Sequence, residues 1–341
     1  MPDGIGLISG GLDSLLAMRL MMEQNLELLG IVIDTGFSSM FEEEGKSNAY
    51  AEKPSITEIA RHMGFPLEII PVHEEYWDMV KNPRHGYGKH INPCLDCRIL
   101  MLKTAARVMH EKKAAFVFTG EVIGQRSKSQ LSHQLKISER ESGLEGRLLR
   151  PLSAKCLPPT IPEKEGLVNR DLLEDIRGRS RKRQLELAAR WGLEDLSVAG
   201  GANCFLIDGG YATRMKDLFR YKGKENVTES DRKLLRVGRH FRLSESLKLI
   251  ISRNENEHKR LLEIASGLPM LECVDVIGAV GVLSGTFTNA DVQRGGELLG
   301  RYSKGRNSKS VRVALTQDGK TLQTFHVSPE KDRQVLDNLL I

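Results

Sequence analysis

The segment Ser9-Gly10-Gly11-Leu12-Asp13-Ser14 constrains this chain more than any other. It follows a short apolar run, Ile5-Gly6-Leu7-Ile8, and precedes an apolar-periodic stretch from Leu15 to Met22. That order reads as a strand, a tight turn and a helix start. Adjacent glycines let the backbone turn sharply and approach a ligand closely. Free N–H groups at the helix start, aided by the helix dipole, favour an anion there. Ser9 and Ser14 can add hydroxyl hydrogen bonds, and Asp13 can orient a metal ion or a substrate group. The segment reads as a pyrophosphate cradle built from Ser9, Gly10, Gly11, Asp13 and Ser14. The plain alternative is a helix-capping turn with Asp13 as an ordinary first-turn acid. The motif lacks the Gly-Lys-Ser/Thr ending of a Walker loop and the Gly-x-Gly-x-x-Gly of a dinucleotide fold.

The first half of the chain alternates strand and helix signals, which predicts an α/β fold with a parallel sheet and helices on both faces. Leu28–Ile33 reads as a strand followed by Asp34, Ser55–Met63 as a helix, and Leu67–Val72 and Ala114–Gly120 as further strands. Ligands in such sheets sit at the carboxyl ends of strands, so Asp34, Thr119, Gly120 and Glu121 are expected near the Ser-Gly-Gly turn. A proline-rich loop, Leu157–Pro162, precedes a basic middle segment at 163–225. Beyond it, strands at 248–252, 275–282 and 310–315 suggest a smaller C-terminal α+β domain of about a hundred residues. The expected domains are therefore 1–225 and 230–341.

With 341 residues there is room for two or three domains with their own cores. No apolar run approaches membrane-spanning length and no amino-terminal signal pattern is visible, so a cytoplasmic chain with no membrane partner is expected. The net charge of +5 says little, but its distribution says more. Between Ile176 and Arg190, Arg177, Arg179, Arg181, Lys182, Arg183 and Arg190 face one acid, Glu186. A second basic stretch runs from Arg214 to Arg242. Clustered cations suit a polyphosphate partner, with Arg179, Arg181, Lys182 and Arg183 as candidate RNA contacts; a solvated basic helix is the alternative.

Cys94-Leu95-Asp96-Cys97 lies between Asn92-Pro93 and an apolar-periodic helix, so both sulfurs sit at a helix start, where the helix terminus favours thiolates. A closed zinc site would want a second pair, and none is present at the usual spacing. Cys204, after the glycine-rich Ala199–Asn203, is the candidate third sulfur. Three cysteines can hold a [4Fe–4S] cluster with one iron open. A cluster-free persulfide mechanism on the same cysteines, and a weak zinc or redox pair with Cys204 as a buried hydrophobe, stay open beside it. Cys156 and Cys273 read as structural. Asp96 could act as a general base or cap its helix.

The hexapeptide resembles the PP-loop of ATP pyrophosphatases, of adenine nucleotide alpha hydrolase-like fold. Together with Asn92-Pro93-Cys94-Leu95-Asp96-Cys97 it is similar to the tRNA thiolation enzymes, 4-thiouridine synthases and 2-thiouridylases. Gly86–His90, Thr119–Gln130 and Gly178–Gln184 resemble a prokaryotic branch related to the 4-thiouridine synthase catalytic domain. The tail, with His240–Ser244 and Lys248–Glu255, is similar to the NFACT RNA-binding domain. The resemblance implies an ATP-dependent tRNA uridine sulfurtransferase that adenylates a uracil oxygen and replaces it with sulfur. It implies ATP with Mg2+ at Ser9–Ser14, with Asp34, Gly120 and Arg126 also toward the cofactor. It further implies a [4Fe–4S] cluster on Cys94, Cys97 and Cys204, and catalytic roles for Asp13, Cys94 and Cys204. Arg126, Lys128 and Lys89 are the cations expected to screen phosphate charge. Two positions depart from the family pattern. Ala202-Asn203 stands before Cys204 where Gly-Gly is usual, and Ser127-Lys128 stands where Pro-Met is usual.

The implied partners are tRNA and a sulfur donor, either sulfide or a persulfide carrier; a homodimer is compatible with the sequence. Because the sequence begins at the PP-loop, without the THUMP domain that often precedes it, the tRNA is expected to be gripped by the basic middle and the tail. Two other functions fit parts of the sequence: a PP-loop enzyme acting on a small molecule, and an RNA-binding protein with an inactive PP-loop.

Overall fold

Runs such as Leu28-Leu29-Gly30-Ile31-Val32-Ile33 have no polar face, and a strand without one must be covered on both sides. The computed structural model describes residues 1–38, 54–127, 129–196 and 204–341. Lys128 and the glycine-rich loop 199–203 lie outside them. The described chain separates into two compact units, Met1–Ile207 and Asp208–Ile341.

In the first unit the order is β1 (Gly4–Leu7), α1 (Leu12–Met22), β2 (Leu28–Asp34), α2 (Ile56–Met63), β3 (Leu67–Pro71) and α3 (His73–Lys81). There follow α4 (Cys94–Glu111), β4 (Phe116–Thr119), α5 (Ser132–Ser142), β5 (Leu148–Leu149), α6 (Ile161–Lys164) and α7 (Lys182–Trp191). The five strands pair in the order β3-β2-β1-β4-β5, and every pairing is parallel. Side chains alternate across the sheet. Val32, Phe116, Phe118 and Leu149 share a core with α1, α2 and α7, while α4 packs on β1, β2 and β4. The expected α/β fold with covered faces is therefore present. Local chemistry sets the helix ends: α2 starts at a Ser55–Glu58 capping box and stops at Gly64 in the left-handed region.

Strand order places a topological switch beside β1. The chain leaves β1 toward β2 on one side, and β4 joins β1 on the other. The loops after β1 and β4 therefore open on one crevice at the carboxyl ends of their strands. The amino terminus of α4, the crossover helix that leads into β4, lies at that same end of the sheet.

The second unit contains α8 (Gly209–Lys222), α9 (Glu229–Leu234), β6 (Arg239–Arg242), β7 (Leu247–Ile251), α10 (Glu255–Ile264), β8 (Met270–Cys273) and β9 (Val280–Gly285). It ends with α11 (Asn289–Arg301), β10 (Val311–Gln317), β11 (Lys320–Val327) and α12 (Arg333–Leu339). Its strands form one antiparallel sheet, β11-β10-β8-β9-β7-β6. Leu249, Leu283 and Val313 pack with α11 and α12 on one side, and Ile250, Val280 and Val282 with α9 and α10 on the other. The strand expected at 275–282 differs. Asp275 turns its carboxylate to the Arg312 N–H, Ile277 is exposed, and pairing resumes only at Val280. Residues 208–225, part of the basic middle, lie in this second unit as α8 and the turn after it. Among the described residues no helix is long and apolar enough to cross a membrane.

One buried cation here has a consequence for stability. Lys248 in β7 is 4% exposed, and burial, only partly offset by Asp217, lowers its pKa from 10.5 to about 8. The unfolded chain holds that proton to higher pH, so it binds more protons than the folded chain between those values. Stability then rises with pH across that window, and below it the full cost of burying the charge is present. Lys248→Met is expected to raise the melting temperature at pH 7 and to flatten the rise above pH 8, measured as the difference between variant and parent in thermal denaturation. An identical pH slope in both would place the effect elsewhere.

Candidate active site

The turn after β1 is organised by Ser14. Its hydroxyl donates to the Gly11 carbonyl at 2.7 Å and accepts the Ser9 N–H at 3.2 Å, with the Ser9 hydroxyl 3.4 Å away. Gly10 has φ of 70°, a left-handed conformation that favours glycine. Helix α1 starts without a side-chain cap, and the N–H groups of Gly10, Gly11, Leu12 and Asp13 find no acceptor among the described residues. The result is a row of free donors at a helix start, the arrangement an anion needs.

Gly120, at the end of β4, lies against this turn. A Cβ there would come within 2.4 Å of the Asp13 carbonyl carbon and oxygen, and 2.5 Å of the Ser14 nitrogen. The expected site residue Gly120 is thus a packing contact of the turn itself. Asp13 accepts the Gln125 side-chain amide at 2.8 Å, and its other oxygen is buried without a partner. At the end of β2, Asp34 accepts the Gly36 N–H at 2.9 Å, and its second oxygen is 2.8 Å from His73 Nε2 at the start of α3.

The thiols gather at the same end of the sheet. Cys94 and Cys97 open α4, and Cys204 pairs with Ser38 beyond β2 in an isolated antiparallel bridge. All three are free and half-buried. Burial pushes the Cys204 thiol up to about 12, with Cys97 and Cys94 adding to the effect. Burial also raises Cys97, against a hydrogen bond from Tyr76 and the charge of Arg98. Tyr76 is itself held far above the usual phenol range, by burial first and then by all three cysteines. The Asn92 amide donates to Cys94 Sγ at 3.0 Å. Among the described residues no group of three or more His, Cys, Asp or Glu side chains is arranged around a single metal ion.

Asp96 does not cap its own helix. Its two oxygens accept the Arg84 and His85 backbone N–H groups, each at 3.0 Å, and so fasten the preceding turn to the cysteine pair. Glu121 is 1% exposed between Arg98 and Arg150, at 3.1 and 3.2 Å. Burial works against its charge, but the two arginines prevail and lower its pKa. Arg126 has a solvent-accessible side chain on the loop after β4. Partial desolvation and neighbouring Arg98 lower its pKa, while Asp13, Cys94 and Glu121 oppose that shift. Lys89 is exposed.

The basic middle divides. Arg179, Arg181 and Lys182 are exposed with no ion pair among the described residues. Arg183 instead makes two hydrogen bonds to Glu174, at 2.9 and 2.8 Å, and pairs with Glu186, which raises its pKa. In the second stretch, Lys222 binds Asp231 and Arg242 binds Asp217. Sequence reasoning missed His73, Tyr76, Arg98, Arg150 and Gln184. Arg98 alone left a clue: a cation near a helix amino terminus opposes the dipole unless a nearby anion holds it.

Sheet, switch point and turn together define an α/β domain of the PP-loop class. Residues 5–144 match the family model described as the tRNA methyl transferase HUP domain, and residues 238–339 match that of the NFACT protein RNA binding domain. The chain is 25% identical over 135 residues to a probable tRNA sulfurtransferase of Thermococcus kodakarensis, covering 40% of this chain and 33% of that protein. It is 28% identical over 129 residues to a tRNA-specific 2-thiouridylase of Cytophaga hutchinsonii, covering 36% of this chain and 35% of that protein. The chain thus spans about a third of the length of the curated relatives it matches. A solved 4-thiouridine synthetase–RNA complex with bound ATP is similar at 19% identity and a TM-score of 0.34, over 56% of this chain and 52% of that one. The resemblance read from the sequence is borne out in both segments: a PP-loop HUP domain at the amino-terminal side and an NFACT RNA-binding domain at the carboxyl-terminal side.

The contact at Gly120 gives a direct test. Gly120→Ala is expected to cost about 1–3 kcal/mol of stability by overpacking and to displace the Gly10–Asp13 donors. Nucleotide binding followed by calorimetry, beside thermal denaturation, checks both effects. Undiminished affinity in the variant would show that the turn does not depend on this contact.

Proposed function

We propose that this chain is an ATP-dependent tRNA uridine sulfurtransferase, and the observation that carries the reading is the row of free N–H donors at the start of α1, at the same end of the sheet where Cys94 and Cys97 open α4. Turn and thiols both lie at the carboxyl ends of the strands, so nucleotide and sulfur chemistry would meet in one crevice, with Arg126 on the loop after β4 beside them. The N–H groups of Gly10 to Asp13 and the Ser9 hydroxyl would hold the ATP phosphates, and Asp13 would hold Mg2+. Arg126 would screen the charge as the uracil oxygen attacks the α-phosphorus and pyrophosphate leaves. Hydrosulfide then supplies sulfur: a C–S bond forms, the C–O bond breaks, and AMP departs with the oxygen. With a persulfide carrier, a second thiol would also have to cleave the S–S bond and leave as a disulfide with the carrier. Asp34, held by His73, lies where it could orient the nucleoside half.

The three thiols fit a [4Fe–4S] cluster better than free-thiol catalysis. Cys97 and Cys204 are half-buried, and burial raises both thiols, whereas iron would draw their protons off. They are not drawn around a single ion, and a cluster spaces its thiolates more widely. When bound, such a cluster would leave one iron without a protein ligand, open to an external sulfide. Asn92 and Tyr76 would donate to the sulfurs of Cys94 and Cys97. RNA would be gripped by Arg179, Arg181 and Lys182 and by the NFACT-like unit.

Four experiments test this reading. Protein purified without oxygen is expected to carry about four irons per chain with matching labile sulfide, both lost in Cys204→Ala. An iron-free parent, even after reconstitution, would remove the cluster from the scheme. Separately, pyrophosphate release from ATP is expected to depend on tRNA and to vanish in Asp13→Asn. Arg181→Ala and Lys182→Ala are each expected to lower the salt dependence of tRNA binding by about one unit of slope. Arg183→Ala should instead lower the melting temperature, because its charge is committed to Glu174.

A further inference from the structure

Helix α7 turns one polar side chain fully inward. Gln184 is completely buried, and its Nε2 donates to Gln125 Oε1 at 3.1 Å. Gln125 Nε2 in turn donates to Asp13 Oδ2 at 2.8 Å. A carboxylate only accepts, so Asp13 requires the nitrogen end of the Gln125 amide. An amide is nearly symmetric in shape, and Gln125 by itself could present its oxygen instead. Asp13 sets the direction by taking the Gln125 nitrogen, and Gln184, donating to the Gln125 oxygen, holds the amide in that sense.

Two further observations indicate that this chain is more than packing. Among the described residues the Gln184 oxygen is buried without a partner, a cost that leucine at the same place would avoid. The second oxygen of Asp13 is also buried and unpartnered, so the carboxylate is held by one oxygen and offers the other. The backbone supports the link, because Ile123 pairs with Arg177 and accepts the Gly178 N–H at 2.8 Å. The segment leading into α7 is thereby fastened to the loop that carries Gln125.

We propose that Gln125 and Gln184 are positioning residues for Asp13, forming a one-directional hydrogen-bond chain that fixes which carboxylate oxygen meets the cation of the bound nucleotide. The proposal rests on the reading of the PP-loop as an Mg2+–ATP site. Gln184→Glu reverses the chain: a carboxylate at that place accepts only, draws the Gln125 nitrogen toward itself, and turns the Gln125 oxygen on to Asp13. Gln184→Met removes the constraint without reversing it.

The test is the Mg2+ concentration that half-saturates pyrophosphate release from ATP, measured with full-length protein. RNA affinity and melting temperature are followed in parallel. Gln184→Glu is expected to raise the Mg2+ requirement about tenfold, the size of one charge-assisted hydrogen bond, and Gln184→Met to raise it less, with RNA affinity unchanged in both. Gln125→Met, which removes the amide beside Asp13 and leaves α7 intact, carries the same expectation should Gln184→Glu not fold. A parental Mg2+ requirement in all three variants would overturn the proposal. So would a loss that tracks melting temperature and strikes RNA and Mg2+ alike, because packing alone would explain it. A parent that releases no pyrophosphate would overturn the nucleotide reading itself, an outcome visible before any variant is compared.

Discussion

The first unit depends on one approach of backbone to backbone, that of Gly120 to Asp13 and Ser14. Nothing larger than a hydrogen fits between them, and this closeness ties the loop after β4 to the turn after β1. The tie lies where the strand order reverses, the one place in a parallel sheet where two adjacent loops diverge and leave a crevice. Everything else in the site is arranged about it. Gln125 and Arg126 follow Gly120 by a few residues, and Glu121, directly after it, is pinned between Arg98 and Arg150.

That pinned carboxylate connects two otherwise separate parts. Arg98 belongs to α4, one residue after Cys97, and Arg150 follows β5. A buried ion triad contributes little net stability, since desolvation offsets attraction, but losing one member strands the others. Its physical effect is therefore on geometry: it holds the start of α4, and with it the cysteine pair, at a set distance from the PP-loop. Asp96 secures the same helix start from the other side by holding the turn at Arg84 and His85.

Much of this was legible in the sequence, and the limits have physical causes. The strand–turn–helix around Ser9–Ser14 and the helix beginning at Cys94 depend on local spacing, and both stand where the sequence placed them. Asp34, Gly120 and Glu121 follow from the rule about strand ends. His73, Arg150 and Gln184 matter through partners far away in the chain, and no local pattern announces such partners. Charge counting did not show that Arg183 and part of the second basic stretch are paired with acids, because a run of cations does not reveal which of them face acids across a fold. The apolar run 275–282 misled for a related reason: Asp275 finds its partner at Arg312, and the strand cannot form until Val280.

The isolated bridge between Ser38 and Cys204 has a bearing on how the protein is made. A chain emerging from its amino terminus completes β1, β2 and the cysteine pair long before Cys204 exists to join them. Until then Cys94 and Cys97 have neither their third neighbour nor the bridge to Ser38, and they meet the surroundings as a bare dithiol. Assembly of the sulfur pocket is thus the last event in the birth of this unit, and a chain cut short before residue 204 would carry the reactive pair without its shelter.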